Sequence, residues 1–541
     1  MTENIRHKIA TASWRYLSYG IAALVLAPLL VVFSSWFLPI ATQHWQHLAE
    51  YLLPSLLWQT LALVVGVCSL TLVIGVSLAW ICSQYRFPGV GILRRGLILP
   101  FAIPAYVSAF VFVGMMDYTG PVRTFIRQVF GGDGLVPEVR SLPGGIVILA
   151  LSLFPYVYVF SFDAFATQGR STLEASRSLG ASPLSSFYRL AVPFARPWIA
   201  GALCLVALEV LNDFGTVSIV GVNTFTTAIY KVWFGFFSPE TAAQLSTFLV
   251  TLAFLIYYAE QGTRRRHQYT SNNPNRNQEP YRLRGSKAWL ASAYAWSIFA
   301  LAFVIPVIQL ILWVIETAAE IFTVEIFQLL WRSIVLGACA ATLACIFAAI
   351  VCLAKRYLPI PSLKRSQQLA QLGYGIPGSV MAIGIYLVIV KVDHALVDTL
   401  EKYFGYAGPL ILSGTIITMV LALGIRFLAV ASSSVDAGLA RISLRLDEAG
   451  RLYGVYGWKQ FALIHWPLLK KSFASGFLLV FVDVIKEMPL TLMTRPFGWD
   501  SLSVRIYGLT SEGEWARAAL PALLLVVIGT LPLFLFQQKR S

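Results

Sequence analysis

The sequence predicts an all-α polytopic membrane protein of about 12 transmembrane helices, arranged as two parallel six-helix repeats. Three observations carry this expectation. The 541 residues are 57% hydrophobic and 12% charged, where a soluble domain carries about twice that charge fraction. The apolar residues fall in blocks of about twenty, enough at about 1.5 Å per residue to cross a hydrocarbon core of roughly 30 Å. The second half of the chain also repeats landmarks of the first at an offset of 273 to 274 residues. A β-barrel would need short segments of strict apolar and polar alternation, and none is seen.

Spans are expected near residues 17–38, 58–82, 97–116, 145–165, 198–220 and 243–259, then near 289–315, 333–354, 373–392, 408–430, 473–493 and 517–536. The first apolar segment is too long for a signal-peptide core and lacks a small-x-small cleavage site, so it is read as a span. Of the 41 Lys and Arg residues, 29 fall on one side of this arrangement together with both termini, and Arg426 lies within a span. Short loops rich in Lys and Arg stay cytoplasmic, which places both termini there. The net charge of +15 is thereby a topology signal, and no nucleic-acid partner is expected. The six cysteines (Cys68, Cys82, Cys204, Cys339, Cys345, Cys352) all fall within these spans. They form no C-x-x-C pair or Cys/His cluster, so they read as small packing residues rather than a zinc site or disulfide framework.

The repeat divides the chain into a first unit at 1–259, a linker at 260–288 and a second unit at 289–541. Trp58 and Trp331 open matching apolar runs, and Ile103-Pro104 matches Ile376-Pro377. Six spans return the chain to its starting side. The second copy therefore inserts in the same orientation as the first, about a pseudo-two-fold axis along the membrane normal. The linker is rich in Asn, Arg and Gln and has no apolar period, as a flexible cytoplasmic tether would be. Its Arg264-Arg265-Arg266 run serves orientation, with contact to anionic lipid heads as the alternative.

Each half carries one polar loop, at 170–196 and 441–471, before its fifth span. "EASRSLGASPLSSFYRLAVP" begins at Glu174, and "EAGRLYGVYGWKQFALIHWP" at Glu448. In both, Glu-Ala is followed by a Gly six positions after the Glu and a Pro nineteen after it. The first copy predicts a short helix over 171–179, with Ser171 or Thr172 as cap and Glu174 in its first turn. Gly180 permits a sharp turn, and Leu184, Phe187, Tyr188 and Leu190 give a second amphipathic segment that Pro193 is expected to stop. The second copy uses Asp447-Glu448, Gly454 and a Phe461/Ile464 face before Pro467. One copy alone would read as an interfacial helix on the lipid; two with identical spacing favour a helix presented to a partner's groove.

These loops resemble the EAA loop of binding-protein-dependent ABC importer permeases, in which Glu-Ala-Ala, a Gly and a terminal Pro have this spacing. Ser176 and Gly450 replace the third-position Ala, and both are small. The resemblance implies the type I ABC importer (MetI-like) permease fold. It also implies that Glu174, Ala175, Gly180 and Pro193, with Glu448, Ala449, Gly454 and Pro467, couple the chain to two copies of a cytoplasmic ATPase. An external substrate-binding protein and the lipid of a bacterial inner membrane complete the expected partners. No G-x-x-x-x-G-K-[ST] phosphate loop occurs, so ATP and Mg would be bound by the ATPase subunits. The chain itself is then neither an enzyme nor a holder of a cofactor. The stretches 212–235 and 483–524 are similar to those of fused iron(III) transport permeases, which implies ferric iron as the transported substrate. Thiamine permeases share the fused architecture and make thiamine or another small molecule the rival cargo.

Carboxylates within a span suggest a pathway. The fifth span carries Glu209 and Asp213, and its repeat-mate carries Asp483 and Glu487 at positions 274 later. Spacing of i, i+4 predicts that each pair shares a helix face. Meeting at the pseudo-axis, all four would surround the outer half of a pore as transient oxygen ligands for a hard trivalent metal. The alternative is neutralisation by Lys486, Arg495 or Arg505 as structural ion pairs. Ile103-Pro104 and Ile376-Pro377 are expected to bend the third span of each half, as a gate or as an inert kink. Tyr156 and Tyr158 read as aromatic packing, with iron ligation as the alternative. Of other classes, a secondary transporter also fits twelve spans in two parallel halves, whereas a channel would need a filter that the sequence does not offer.

Overall fold

The computed structural model describes residues 2–37, 45–46, 48–134, 136–167, 176, 178–264, 280–318 and 323–537. Among them, nine helices are long and apolar enough to cross a membrane. Two further pairs qualify as bent units: Val90–Ala102 with Ala105–Phe130, bent by 91°, and Ile416–Arg426 with Leu428–Leu439, bent by 49°. The helix Trp466–Lys486 has the length of a span, 21 residues; its Lys470, Lys471, Asp483 and Lys486 set it apart from the others. Among the described residues the candidate spans thus number nine to eleven, all where spans are predicted, and Trp466–Lys486 occupies the remaining predicted position with more charge than the others carry.

The two halves embrace each other. Span 1 (Thr2–Ser34) crosses to span 9 (Gly378–Phe404) of the second half, where a Cβ on Gly384 would stand 2.7 Å from Pro28 Cβ. Span 7, which starts at Ser286, crosses to span 3 of the first half, where a Cβ on Gly114 would stand 2.8 Å from Trp313 Cη2. Small residues at such crossings let backbones approach in a medium that offers no hydrophobic drive between helices. The same exchange in both halves is what a pseudo-two-fold axis requires.

Both Ile-Pro pairs interrupt their spans in the same way. Ile103 (φ −91°, ψ 117°) and Ile376 (φ −88°, ψ 129°) are extended. Pro104 and Pro377 then cap the helices Ala105–Met116 and Gly378–Phe404. A residue before Pro is driven out of the helical region, so each Pro makes a break and not a gentle kink.

Three expectations need correction. Pro193 and Pro467 do not stop a helix: each lies in the first turn of span 5 (Val192–Asn212) or span 11 (Trp466–Lys486). A single wide turn precedes each, Phe187–Ala191 and Phe461–His465, in which Val192 N–H bonds Phe187 O and Trp466 N–H bonds Phe461 O. That wider spacing absorbs the carbonyl a proline leaves without a donor. Spans 5 and 11 also end earlier than predicted, at Asn212 and Lys486 rather than 220 and 493. Short helices Gly215–Val220 and Pro489–Thr494 come next. Finally, the linker is anchored at its far end. Tyr281–Arg282 pairs in parallel with Tyr85–Arg86, and Leu283 N–H bonds Arg86 O at 3.0 Å.

Candidate functional site

The breaks in spans 3, 5, 9 and 11 converge on one cavity of about 220 Å³. Glu209, Asp213, Asp483 and Glu487 all line it, with Pro104, Tyr156, Tyr374, Arg426 and Lys486. The helix ends between the members of each acidic pair, so the i, i+4 face is not what joins them. Asp213 (ψ 123°) and Glu487 (ψ 116°) are extended residues just past the last helical turn.

This geometry divides the four carboxylates into two repeat-related pairs with different work. Asp213 accepts from Thr216 Oγ1 (2.8 Å) and Val217 N (3.1 Å), capping the short helix Gly215–Val220. Glu487 accepts from Leu490 N at 3.4 Å and faces Arg426 Nη2 at 3.6 Å. Short polar side chains at a helix start compete for the orphan N–H groups there. Glu209 and Asp483 take no part in capping. Tyr374 donates its hydroxyl to Glu209 Oε1 at 3.3 Å, and Tyr156 lies within electrostatic reach of Glu209, Asp483 and Tyr374.

Two cations share the cavity, and both satisfy carbonyls freed by the Ile-Pro breaks. Arg426 Nη1 donates to Ile376 O at 2.9 Å, and Lys486 Nζ to Phe101 O at 2.9 Å. Irregular backbone at membrane depth is tolerated where such partners meet it. Arg495 and Arg505 are engaged elsewhere, with Asp500 and Glu325, so the neutralising partners are Arg426 and Lys486. Among the described residues, no three His, Cys, Asp or Glu side chains gather closely enough to hold a metal. The candidate set Glu209, Asp213, Asp483 and Glu487 therefore makes a field along the wall and not a ligand shell. Of the tyrosines, Tyr156 faces the cavity, while Tyr158 is buried with its hydroxyl donated to Arg94 O at 3.4 Å. Phe214 lines the cavity and packs at a tilt against Tyr230 and Tyr507, with ring centroids 4.8 and 5.5 Å away and the two tyrosines 6.1 Å apart.

The second polar loop is built as expected up to its proline. Ser443 caps the helix Leu444–Leu452, Glu448 is exposed on it, and Gly454 turns at φ 72°. Leu452 and Tyr453 are both 87% exposed, which leaves an apolar tip. In the first loop Gly180 turns at φ 87°, whereas Glu174, Ala175 and the proposed caps Ser171 and Thr172 lie outside the described residues. The turns match: Ala181 N–H bonds Ser176 O at 3.1 Å, and Val455 N–H bonds Gly450 O at 2.9 Å. Both third-position departures fit their surroundings. Ser176 Oγ pairs with Ser186 Oγ at 2.7 Å, and a Cβ on Gly450 would press on Ile464 Cδ1 at 2.6 Å.

Sequence reasoning missed what braces the second loop. Asp447 is buried between Arg356 Nε (2.6 Å) and His465 Nε2 (2.8 Å), and Tyr357 OH meets His465 Nδ1 at 2.9 Å. Burial pushes the His465 imidazole below its usual value, against the opposing pull of Asp447. A neutral ring then donates from Nε2 to the carboxylate and accepts from the tyrosine. Arg356 also donates to Leu439 O and Ile442 O. Asp447→Ala would leave a buried guanidinium without its carboxylate, which costs about 3–5 kcal/mol. A lowered melting temperature of the purified protein is expected, with Asp447→Asn intermediate.

Residues 71–315 match the family model described as "Binding-protein-dependent transport system inner membrane component". Over 492 residues, 89% of each chain, the protein is 29% identical to the "Fe(3+)-transport system permease protein FbpB 2" of Haemophilus influenzae. Both matches are to components of binding-protein-dependent or Fe(3+) transport systems, and the model covers the stretch 71–315 of this chain. The chain is also 26% identical to the "Sulfate transport system permease protein CysW" of Escherichia coli, over 41% of its own length and 76% of that protein. It is 28% identical to the "Molybdenum transport system permease protein ModB" of Azotobacter vinelandii, over 36% of its own length and 87% of that protein. With these two relatives the aligned stretch covers less than half of the chain. The all-helical structure and the matched stretch agree with the MetI-like fold, and the family whose model matches is not itself enzymatic.

Proposed function

We propose that this permease moves ferric iron, delivered by an external binding protein, into the cytoplasm by ATP-driven alternating access. The observation that carries the proposal is similarity along 89% of both chains to an Fe(3+) permease. The central cavity supports it: four carboxylates against two cations leave a surplus of negative charge, and its donors are oxygens, which hard cations favour. The face bearing the Glu448 loop, with both termini, is cytoplasmic. Two ATPase subunits, which hold the ATP and Mg, dock on the loops around Glu174 and Glu448. Their nucleotide states shift the permease between conformations only through unequal binding to them. The permease supplies no cofactor of its own, and iron is its substrate.

Elemental analysis of the complex purified with its loaded binding protein tests the cargo. Retained iron is the expected result. Retained thiamine, sulfate or molybdate with no iron would overturn the assignment.

A further inference from the structure

A second cavity, of about 950 Å³, lies between the halves on the face that bears the linker and the Glu448 loop. Gly201, Cys204, Ala253, Tyr257, Gln368 and Gly375 are among the residues that line it. Tyr374 is the one residue common to the linings of this cavity and the central one. It sits in the tight turn Gln371–Gly375, directly before the Ile376-Pro377 break, and its hydroxyl is held by Glu209 Oε1 at 3.3 Å.

The repeat supplies an internal comparison. The residue 273 positions earlier is Phe101, which has no hydroxyl to offer a carboxylate. On that side the wall is packed and bolted. Phe101 O takes the Lys486 ammonium at 2.9 Å. A Cβ on Gly529 of span 12 would stand 2.4 Å from Ala102 O and 2.8 Å from Lys486 Cε. The repeat-mate of Lys486 is Asn212, 274 positions earlier. Asn212 lines the central cavity, and its buried Oδ1 has no hydrogen-bond partner. Where the Lys486 cation ties one break to the opposite half, Asn212 makes no such tie at the other: there Arg426 holds Ile376 O from its own half, and Tyr374 meets Glu209 with Tyr156 beside the same carboxylate.

We propose that cargo leaves the central cavity on one side only, past Tyr374, and that the Tyr374 side chain gates this portal with Glu209 as its latch. The proposal rests on the permease reading but not on the identity of the cargo. A cation that engages Glu209 competes with the Tyr374 hydroxyl for the same oxygen, so occupancy itself loosens the gate. Tyr374 is a positioning residue in this scheme: it holds the exit shut and releases it.

The test uses the full chain in vesicles that expose the loop face, with Asn212→Cys as a reporter in the central cavity. The probe is a small cationic methanethiosulfonate, and modification at position 212 is read by mass spectrometry. Cys204, which lines the second cavity, reports in the same sample that the probe has reached it. With Tyr374→Ala added, modification at 212 is expected to quicken at least about tenfold. Tyr374→Phe, which keeps the ring and loses the latch, should give a smaller rise. Phe101→Ala, the repeat-mate control, should give none. An equal rise with Phe101→Ala would overturn the one-sided exit. Unchanged modification in both Tyr374 variants, with Cys204 labelled, would overturn the gate; if Tyr374→Ala fails to fold, Tyr374→Phe alone decides. None of these results touches the retention of iron, which tests the function separately.

Discussion

Iron uptake is expected to fall at least about tenfold when Glu209 and Asp483 are both replaced by their amides, with the protein still expressed and stable. A tenfold loss corresponds to about 1.4 kcal/mol, a modest demand on two carboxylates that face a cation in a low-dielectric cavity. Gln and Asn keep the shape and remove the charge. Neither residue caps a helix, and the hydrogen bond from Tyr374 to Glu209 survives in an amide. The Asp213→Asn and Glu487→Gln double variant should behave differently. Asp213 holds the start of the helix Gly215–Val220, and Glu487 faces the buried Arg426. Asn caps about as well as Asp, so the cost falls on Glu487, whose lost charge leaves the buried Arg426 guanidinium poorly matched. Its first readout is therefore a lower melting temperature. Uptake at the parent rate in the Glu209→Gln, Asp483→Asn variant would remove the cavity from the pathway.

The second large effect concerns the loops. Gly180→Val with Gly454→Val is expected to abolish the stimulation of ATP hydrolysis by loaded binding protein in the assembled complex. Both glycines turn in the left-handed region, at φ 87° and 72°, which costs an L side chain roughly 1–2 kcal/mol and a β-branched one more. The turns closed by the Ser176–Ala181 and Gly450–Val455 hydrogen bonds would open, and the exposed tip at Leu452 and Tyr453 would lose its direction. Asn tolerates this backbone region, so Gly180→Asn with Gly454→Asn should keep most of the stimulation. Valine and asparagine variants that behaved alike would contradict the idea that turn geometry sets the docking surface.

Much of this was legible because the chain states it twice. Two loops with the same Glu, Gly and Pro spacing, two Ile-Pro breaks and two acidic pairs mark the candidate site in the sequence itself. The pattern hid relations that exist only across the fold. The helix ends between Glu209 and Asp213 because Asp213 caps the next helix, so a periodic reading joined residues that the backbone separates. Pro193 and Pro467 looked like stops because a one-turn widening upstream has no sequence signature of its own. Arg426 and Lys486 serve carbonyls 50 and 385 positions away, and Asp447 meets Arg356 from 91 positions away. Tyr374 did leave a trace: it stands two residues before Ile376-Pro377, as Phe101 does before Ile103-Pro104, and only that comparison shows the added hydroxyl. Asymmetry between matched positions is thus as informative as the repeat itself.

The most direct test of the whole account is iron uptake by proteoliposomes that contain the purified permease, with and without its ATPase subunits, loaded binding protein and ATP. Uptake that requires all three additions is expected. Sustained uptake by the permease alone, driven by an ion gradient or by the iron gradient itself, would contradict it.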